Sequence, residues 1–197
     1  MSSFLDANTY YKQRFGGKLY KAAISLKVTC PNRDGSKGVG GCSFCSQEGS
    51  GEFASTSDMT VTEQIDRAIE RLSNKIKSDT GIIAYFQSYT NTYCDSKYLL
   101  RSMNEAAEHP RIKAISIATR PDCLPSDILT VINEINQRLP VFVELGLQTS
   151  NDETARGFNR CYETLEYDSA VQRLHAIGVN VITHIILGLP SETYEDR

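Results

Sequence analysis

The sequence predicts an α/β fold built on a parallel sheet, and three observations predict it. Short apolar runs rich in Val and Ile alternate with segments of helical periodicity; strands that apolar belong to sheets covered on both faces. Polar, chemically active residues follow each run, at the strand ends where parallel sheets and barrels bind ligands. The 197 residues are 40% hydrophobic and 23% charged, an ordinary composition for one globular domain.

Taken in order, Ala22–Val28 reads as the first strand and ends two residues before Cys30. Thr60 and Glu63 form a capping-box signature, and Val61, Ile65, Ala68, Ile69, Leu72 and Ile76 follow at helical spacing. Gly81 opens a second strand, IIAYFQS. Asp95 caps a helix to about His109, with Leu99, Met103 and Ala106 inward. Ile112–Thr119 is a third strand, 126–139 a helix, and Val141–Gln148 a fourth strand. A helix from Thr164 to about Ile177 ends at Gly178, a residue suited to a left-handed cap. Val179–Leu187 is the fifth strand, and Ser191 reads as the N-cap of a helix just begun, so the sequence reads as C-terminally truncated. No apolar run is long enough to span a membrane, and no signal-peptide pattern opens the chain, which reads as cytoplasmic.

The stretch CPNRDGSKGVGGCSFC carries the chemistry. Cys30, Cys42 and Cys45 are soft thiolate donors suited to zinc or an iron–sulfur cluster. Four glycines between the first two let the backbone fold closely around such a group, and a loop so rich in glycine is expected to draw its order from the bound metal rather than from packing. A closed zinc site wants four ligands, and the three histidines (His109, His175, His184) lie far downstream; three cysteines leave a cluster one iron open. A zinc-stabilised module without catalysis stays as an alternative. Net charge is −3, yet residues 1–45 carry seven Lys or Arg against two Asp, a segment compatible with a phosphate-bearing substrate.

On these residues the chain resembles the radical S-adenosylmethionine (SAM) superfamily. Cys42-Ser43-Phe44-Cys45 matches its Cys-x-aromatic-Cys pair. The long first interval, FGGKLYKAAISLKVTCPNRDG, Thr119-Arg120-Pro121-Asp122, VELGLQ and Asn159-Arg160 are similar to the branch holding the elongator catalytic subunit and its YhcC/YtqA-type bacterial relatives. Ile186 and Gly188 fit the family's strand-five GxIxGxxE motif, whereas His184 replaces its first glycine and Ser191 its acidic position. Ser88-Tyr89-Thr90 stands where many members carry Gly-Gly-Glu.

The resemblance implies a partial (β/α) barrel with five of six strands present, residues 1–197 forming one core domain. It implies a [4Fe–4S] cluster on Cys30, Cys42 and Cys45 and SAM as second cofactor, cleaved to a 5′-deoxyadenosyl radical. Phe44 would meet the adenine, with Ile186, Gly188 and Leu189 as its wall. Ser88, Tyr89 and Thr90 would lie at the amino group, Arg120 at the carboxylate and Glu144 at the ribose, or else in an ion pair with Arg120. Gln148 would support them. Cys94, Cys123 and Cys161 follow strand ends and are candidates at the same mouth, as hydrogen donors or substrate contacts, against a plain reading as unrelated loop cysteines. The expected partners are tRNA, through wobble-uridine modification, and an electron donor such as flavodoxin or ferredoxin; a small metabolite, as in coproporphyrinogen oxidation, is the alternative substrate.

Overall fold

The computed structural model describes residues 4–47, 49, 51, 54–190, 192 and 193. Its centre is one parallel sheet in the order β1-β2-β3-β4-β5, with β1 at Tyr20–Ile24, β2 at Ile82–Phe86, β3 at Ile112–Thr119, β4 at Val141–Gln148 and β5 at Asn180–Ile185. β3 and β4 run as the apolar pattern predicts. β1 begins two residues earlier than expected and stops at Ile24, and β5 is shorter at both ends. β1 pairs along its whole length with β2, Tyr20 to Ile82 through Ile24 to Phe86, and beyond Ile24 the chain leaves the ladder for the cysteine loop.

Helices α2 (Val61–Leu72), α3 (Ser96–Glu108), α4 (Ser126–Asn136) and α6 (Thr164–Ala176) supply the crossovers. The capping box at Thr60 forms, with Thr60 Oγ1 accepting from the Glu63 amide and the Glu63 carboxylate accepting from the Thr60 amide. Gly178 sits at φ 69°, where a side chain would be strained. The main core lies between sheet and helices: Ile24, Ile82, Phe86, Leu99, Met103, Ile115, Ile117, Ile132, Val143 and Leu174 are among its buried members. The expected N-cap at Ser191 lies outside the described residues.

Two helices escape the apolar-periodicity test. α1 (Ala7–Phe15) has no fully buried residue. Asp6 caps it, accepting from the Thr9 amide at 2.9 Å, and Gly16 at φ 74° closes it. Its half-buried Tyr10, Tyr11 and Phe15 pack on Leu19, Ile83, Ala114 and Phe142, the inward face of the sheet at its amino end. The rings of Tyr10 and Tyr11 meet Phe142 edge-on at 6.3 and 6.0 Å. α1 thus stoppers the end of the sheet opposite the cysteine loop. α5 (Asp152–Gly157) is a short helix capped by Asn151, which accepts from the amides of Glu153 and Thr154.

Candidate active site

The cysteine loop folds over the carboxyl ends of the strands. Cys30, Cys42 and Cys45 all line one cavity of about 300 Å³, together with Phe44, Tyr85, Gln87, Tyr89, Thr90, Arg120, Glu144, Gln148, Tyr162 and His184. Among the described residues no three His, Cys, Asp or Glu side chains converge on a point fit for one metal ion; the three thiols border the cavity together. The donor set is soft, and the backbone around it is permissive, with Gly40 and Gly41 at φ 78° and 82°. Its hydrogen bond to Cys45, then its burial, push the Cys42 thiol well above its ordinary value, while Arg120 and Asn32 favour the thiolate. Displacing that proton is what a ligated metal does. These residues fit a thiolate-bound cluster.

The loop is held by packing as well as by any metal, which corrects the expectation that a metal alone orders it. Asn32 is fully buried, and its amide donates to the carbonyls of Asn159 (2.5 Å) and Arg160 (3.3 Å). Asn159 in return donates to the carbonyls of Gly41 (2.9 Å) and Val39 (3.3 Å). The Ser43 amide donates to the Phe158 carbonyl, and Phe44 meets the Phe158 ring edge-on at 5.4 Å. Arg33 donates to the carbonyls of Ser46 and Gln47 and lies over the Tyr89 ring, whose hydroxyl also donates to the Gln47 carbonyl. Beneath this, Arg160 is only 1% exposed. Its guanidinium donates to the carbonyls of Leu147, Thr149 and Tyr162 and pairs with Asp152 at 2.5 Å, so it ties the end of β4 to α5 and to the start of α6.

The floor of the cavity is polar. Glu144, 3% exposed, accepts from Lys21 Nζ at 2.5 Å, from the Ser116 hydroxyl, and lies 2.8 Å from His184 Nε2. Burial opposes its charge, but His184, Lys21 and Ser116 outweigh that and hold the carboxyl at about 2. Tyr85 completes the layer: burial, then the Glu144 charge, raise its phenol, and Lys21 Nζ sits 3.9 Å above its ring. Strand alternation explains the layer, since β4 turns Phe142, Glu144 and Gly146 to one face and pairs Glu144 with Ile182 and Gly146 with His184.

Several expected roles change. Arg120 is not the partner of Glu144: its Nε and Nη2 fork onto Asp122 at 2.9 Å each, and its plane stacks 4.8 Å from the Tyr162 ring. Burial works against the Asp122 charge, yet Arg120 and Lys37 (3.1 Å) hold it below its ordinary range. Ser88 turns away from the cavity and its hydroxyl is bonded to that of Ser25, while its neighbours Tyr89 and Thr90 line it. Ile186 and Gly188 are not among the described lining residues, and Leu189 borders a second depression with Phe44 and Phe158. Gln148, at φ 60°, keeps its place on the wall with its side-chain Oε1 accepting from the Tyr162 hydroxyl at 3.0 Å.

The remaining cysteines do not share the mouth. Cys94 and Cys123 line a neighbouring groove of about 890 Å³. Burial, then Asp95, raises Cys94 to about 11; burial, then Asp122, raises Cys123 to about 12. Thiols so protonated are poor nucleophiles. Cys161 Sγ donates to Asn159 Oδ1 at 3.1 Å, behind the loop. Sequence reasoning missed Asn32, Lys21, Tyr85 and Ser116. A lysine inside an apolar strand was the available signal for the floor; nothing local marks Asn32.

The family description "Radical SAM superfamily" matches residues 28–197. Protein YtqA of Bacillus subtilis (strain 168) is 40% identical over 185 residues, covering 94% of this chain and 57% of its own. Protein YhcC of Escherichia coli (strain K12) is 33% identical over 181 residues, covering 91% and 57%. The chain therefore spans a little over half the length of these curated relatives. A tRNA-2-methylthio-N(6)-dimethylallyladenosine synthase of Leptothrix cholodnii is 28% identical over 165 residues, covering 79% and 34%. Among solved structures, the archaeal Methanocaldococcus infernus Elp3 superposes with a TM-score of 0.62 at 18% identity, covering 90% of this chain and 40% of that one. That likeness is one of fold, and it makes the five-stranded sheet part of a partial (β/α) barrel.

Proposed function

The chain belongs to the radical SAM superfamily, whose members use a [4Fe–4S] cluster and SAM, and on that premise we propose that its cavity is the site of radical SAM chemistry. The observation that carries the reading is the gathering of Cys30, Cys42 and Cys45 on one cavity at the carboxyl ends of the strands. We assign these three thiolates to the cluster. When bound, the cluster supplies an open iron for SAM and the electron that releases a 5′-deoxyadenosyl radical, the hard chemistry being the cofactor's.

The protein's own residues then bind, orient and enclose. Arg120 keeps a positive charge at the cavity wall, locked in place by Asp122, and is assigned to the SAM carboxylate. We assign Thr90 and Tyr89 to the amino group, Gln148 to the ribose, and Phe44 with Leu189 to the adenine. Glu144, with its oxygens engaged by Lys21, Ser116 and His184, is assigned to the floor rather than to the ribose. Cys94, Cys123 and Cys161 receive no catalytic role.

For the substrate we infer a tRNA nucleoside. What supports it is the similarity to the methylthio synthase, whose name states a tRNA product. The basic N-terminal segment gives little support, because Lys21, Arg33 and Lys37 are spent inside the fold on Glu144, loop carbonyls and Asp122. A one-electron donor of the flavodoxin or ferredoxin class is the partner such a cluster requires. No described helix is long and apolar enough to cross a membrane. Anaerobic reconstitution followed by visible and EPR spectra tests the cluster and separates it from a zinc module. Mass spectrometry of tRNA nucleosides from a strain lacking the gene tests the substrate: a missing modified nucleoside supports tRNA, and an unchanged profile moves the assignment to a small metabolite.

A further inference from the structure

We propose that Asn32 donates a side-chain N–H···S hydrogen bond to the Cys42 thiolate and so raises the reduction potential of the cluster. The inference rests on Cys42 being a cluster ligand. Asn32 Nδ2 lies 3.4 Å from Cys42 Sγ, within reach of a bond to sulfur. Amide nitrogen and oxygen are assigned from their surroundings, and here the surroundings decide. The two N–H bonds of this nitrogen serve three acceptors, the Asn159 carbonyl at 2.5 Å, the Arg160 carbonyl at 3.3 Å and the sulfur, so one of them is shared. Turning the amide over would set an oxygen against two carbonyl oxygens and a sulfur. Asn32 Oδ1, meanwhile, is buried with no hydrogen-bond partner, and leaving such an acceptor unsatisfied is unfavourable. The position therefore keeps an amide donor at the expense of its acceptor.

That donor has a second use once the thiol loses its proton. Cys42 Sγ also lies 3.4 Å from the Asn159 carbonyl, to which the thiol donates. A thiolate has nothing to donate, and the carbonyl then opposes its charge. Asn32 supplies the compensating positive end of a dipole. Hydrogen bonds to cluster sulfurs are among the groups that set cluster potentials, and a donor to the ligand favours the reduced, more negative state. Asn32 thus acts on the cluster electronically as well as by clamping the loop.

The two effects differ in sign, which makes the test sharp. Losing the N–H···S bond lowers the potential, whereas loosening the loop admits water, which solvates the reduced state and raises it. EPR-monitored redox titration of the reconstituted holoprotein is run on wild type, Asn32→Leu and Asn159→Ala. Asn159→Ala removes the clamp on Gly41 and Val39 but keeps the Asn159 carbonyl and the Asn32 bond. The expected result is a lowered potential in Asn32→Leu and none in Asn159→Ala. An unchanged or raised potential in Asn32→Leu, or an equal fall in Asn159→Ala, overturns the proposal. Wild type carrying asparagine labelled with ¹⁵N at the side-chain amide gives a check that needs no variant: pulsed EPR of the reduced cluster should show ¹⁵N coupling, and its absence overturns the proposal too. A wild type that yields no cluster signal in any preparation fails the cluster assignment itself, a different result from a cluster indifferent to Asn32.

Discussion

Replacing Glu144 by glutamine keeps the shape of the cavity floor and removes the charge that Lys21, Ser116 and His184 converge on. The carboxyl is held at about 2 in the folded protein against an ordinary value of 4.5. A folded value below the unfolded one means stability that is fully present above pH 4.5 and is lost as pH falls toward 2. The gap corresponds to roughly 3 kcal/mol at pH 7, falling to about 1.4 kcal/mol at pH 3. For a chain of this length the larger figure is about 6–12 °C in melting temperature. Denaturant unfolding of wild type and Glu144→Gln at several pH values between 3 and 7 reads it directly. The stability difference should stay constant from pH 7 to about pH 5 and narrow below that. A difference independent of pH, or no loss at pH 7, would refute the view that an ion-paired carboxylate organises the floor.

Arg160→Ala strips three carbonyls and Asp152 of their buried partner and should cost ~3 kcal/mol or more, measured by denaturant unfolding at pH 7; a loss under 1 kcal/mol would mean the staple is dispensable. Phe142→Ala removes the ring on which Tyr10 and Tyr11 sit and should cost about 3–5 kcal/mol, while opening residues 4–17 to limited proteolysis before the rest of the chain. Thr60→Ala removes the α2 cap and should cost about 1 kcal/mol in the same unfolding assay.

The parts of the fold that sequence reveals are those in which a periodic pattern and a local signal agree. β3 and β4 are runs of apolar residues long enough to be read at both ends, and α2 has both its stripe and its capping box. α1 lacked such a stripe because its inward residues touch only one patch at the sheet's end, and only its caps, Asp6 and Gly16, marked it. The cysteine loop was legible because its chemistry is in the spacing itself. Its clamp was not, because Asn32 and Asn159 are 127 residues apart and meet only through the topology. The pairing of Glu144 with Lys21 was hidden for the same reason, and Arg120 finds its carboxylate two residues away instead. Cys94 and Cys123 follow strand ends as expected, yet the turns after β2 and β3 carry them into the adjoining groove.

Iron and acid-labile sulfide counted in anaerobically reconstituted wild type and in six single Cys→Ala variants test the cluster assignment most directly. Cys30→Ala, Cys42→Ala and Cys45→Ala should each lose the cluster and its visible absorption, while Cys94→Ala, Cys123→Ala and Cys161→Ala load as wild type does. Full loading in any of the first three, or loss in Cys94→Ala or Cys123→Ala, would contradict the assignment of the cavity to the cluster.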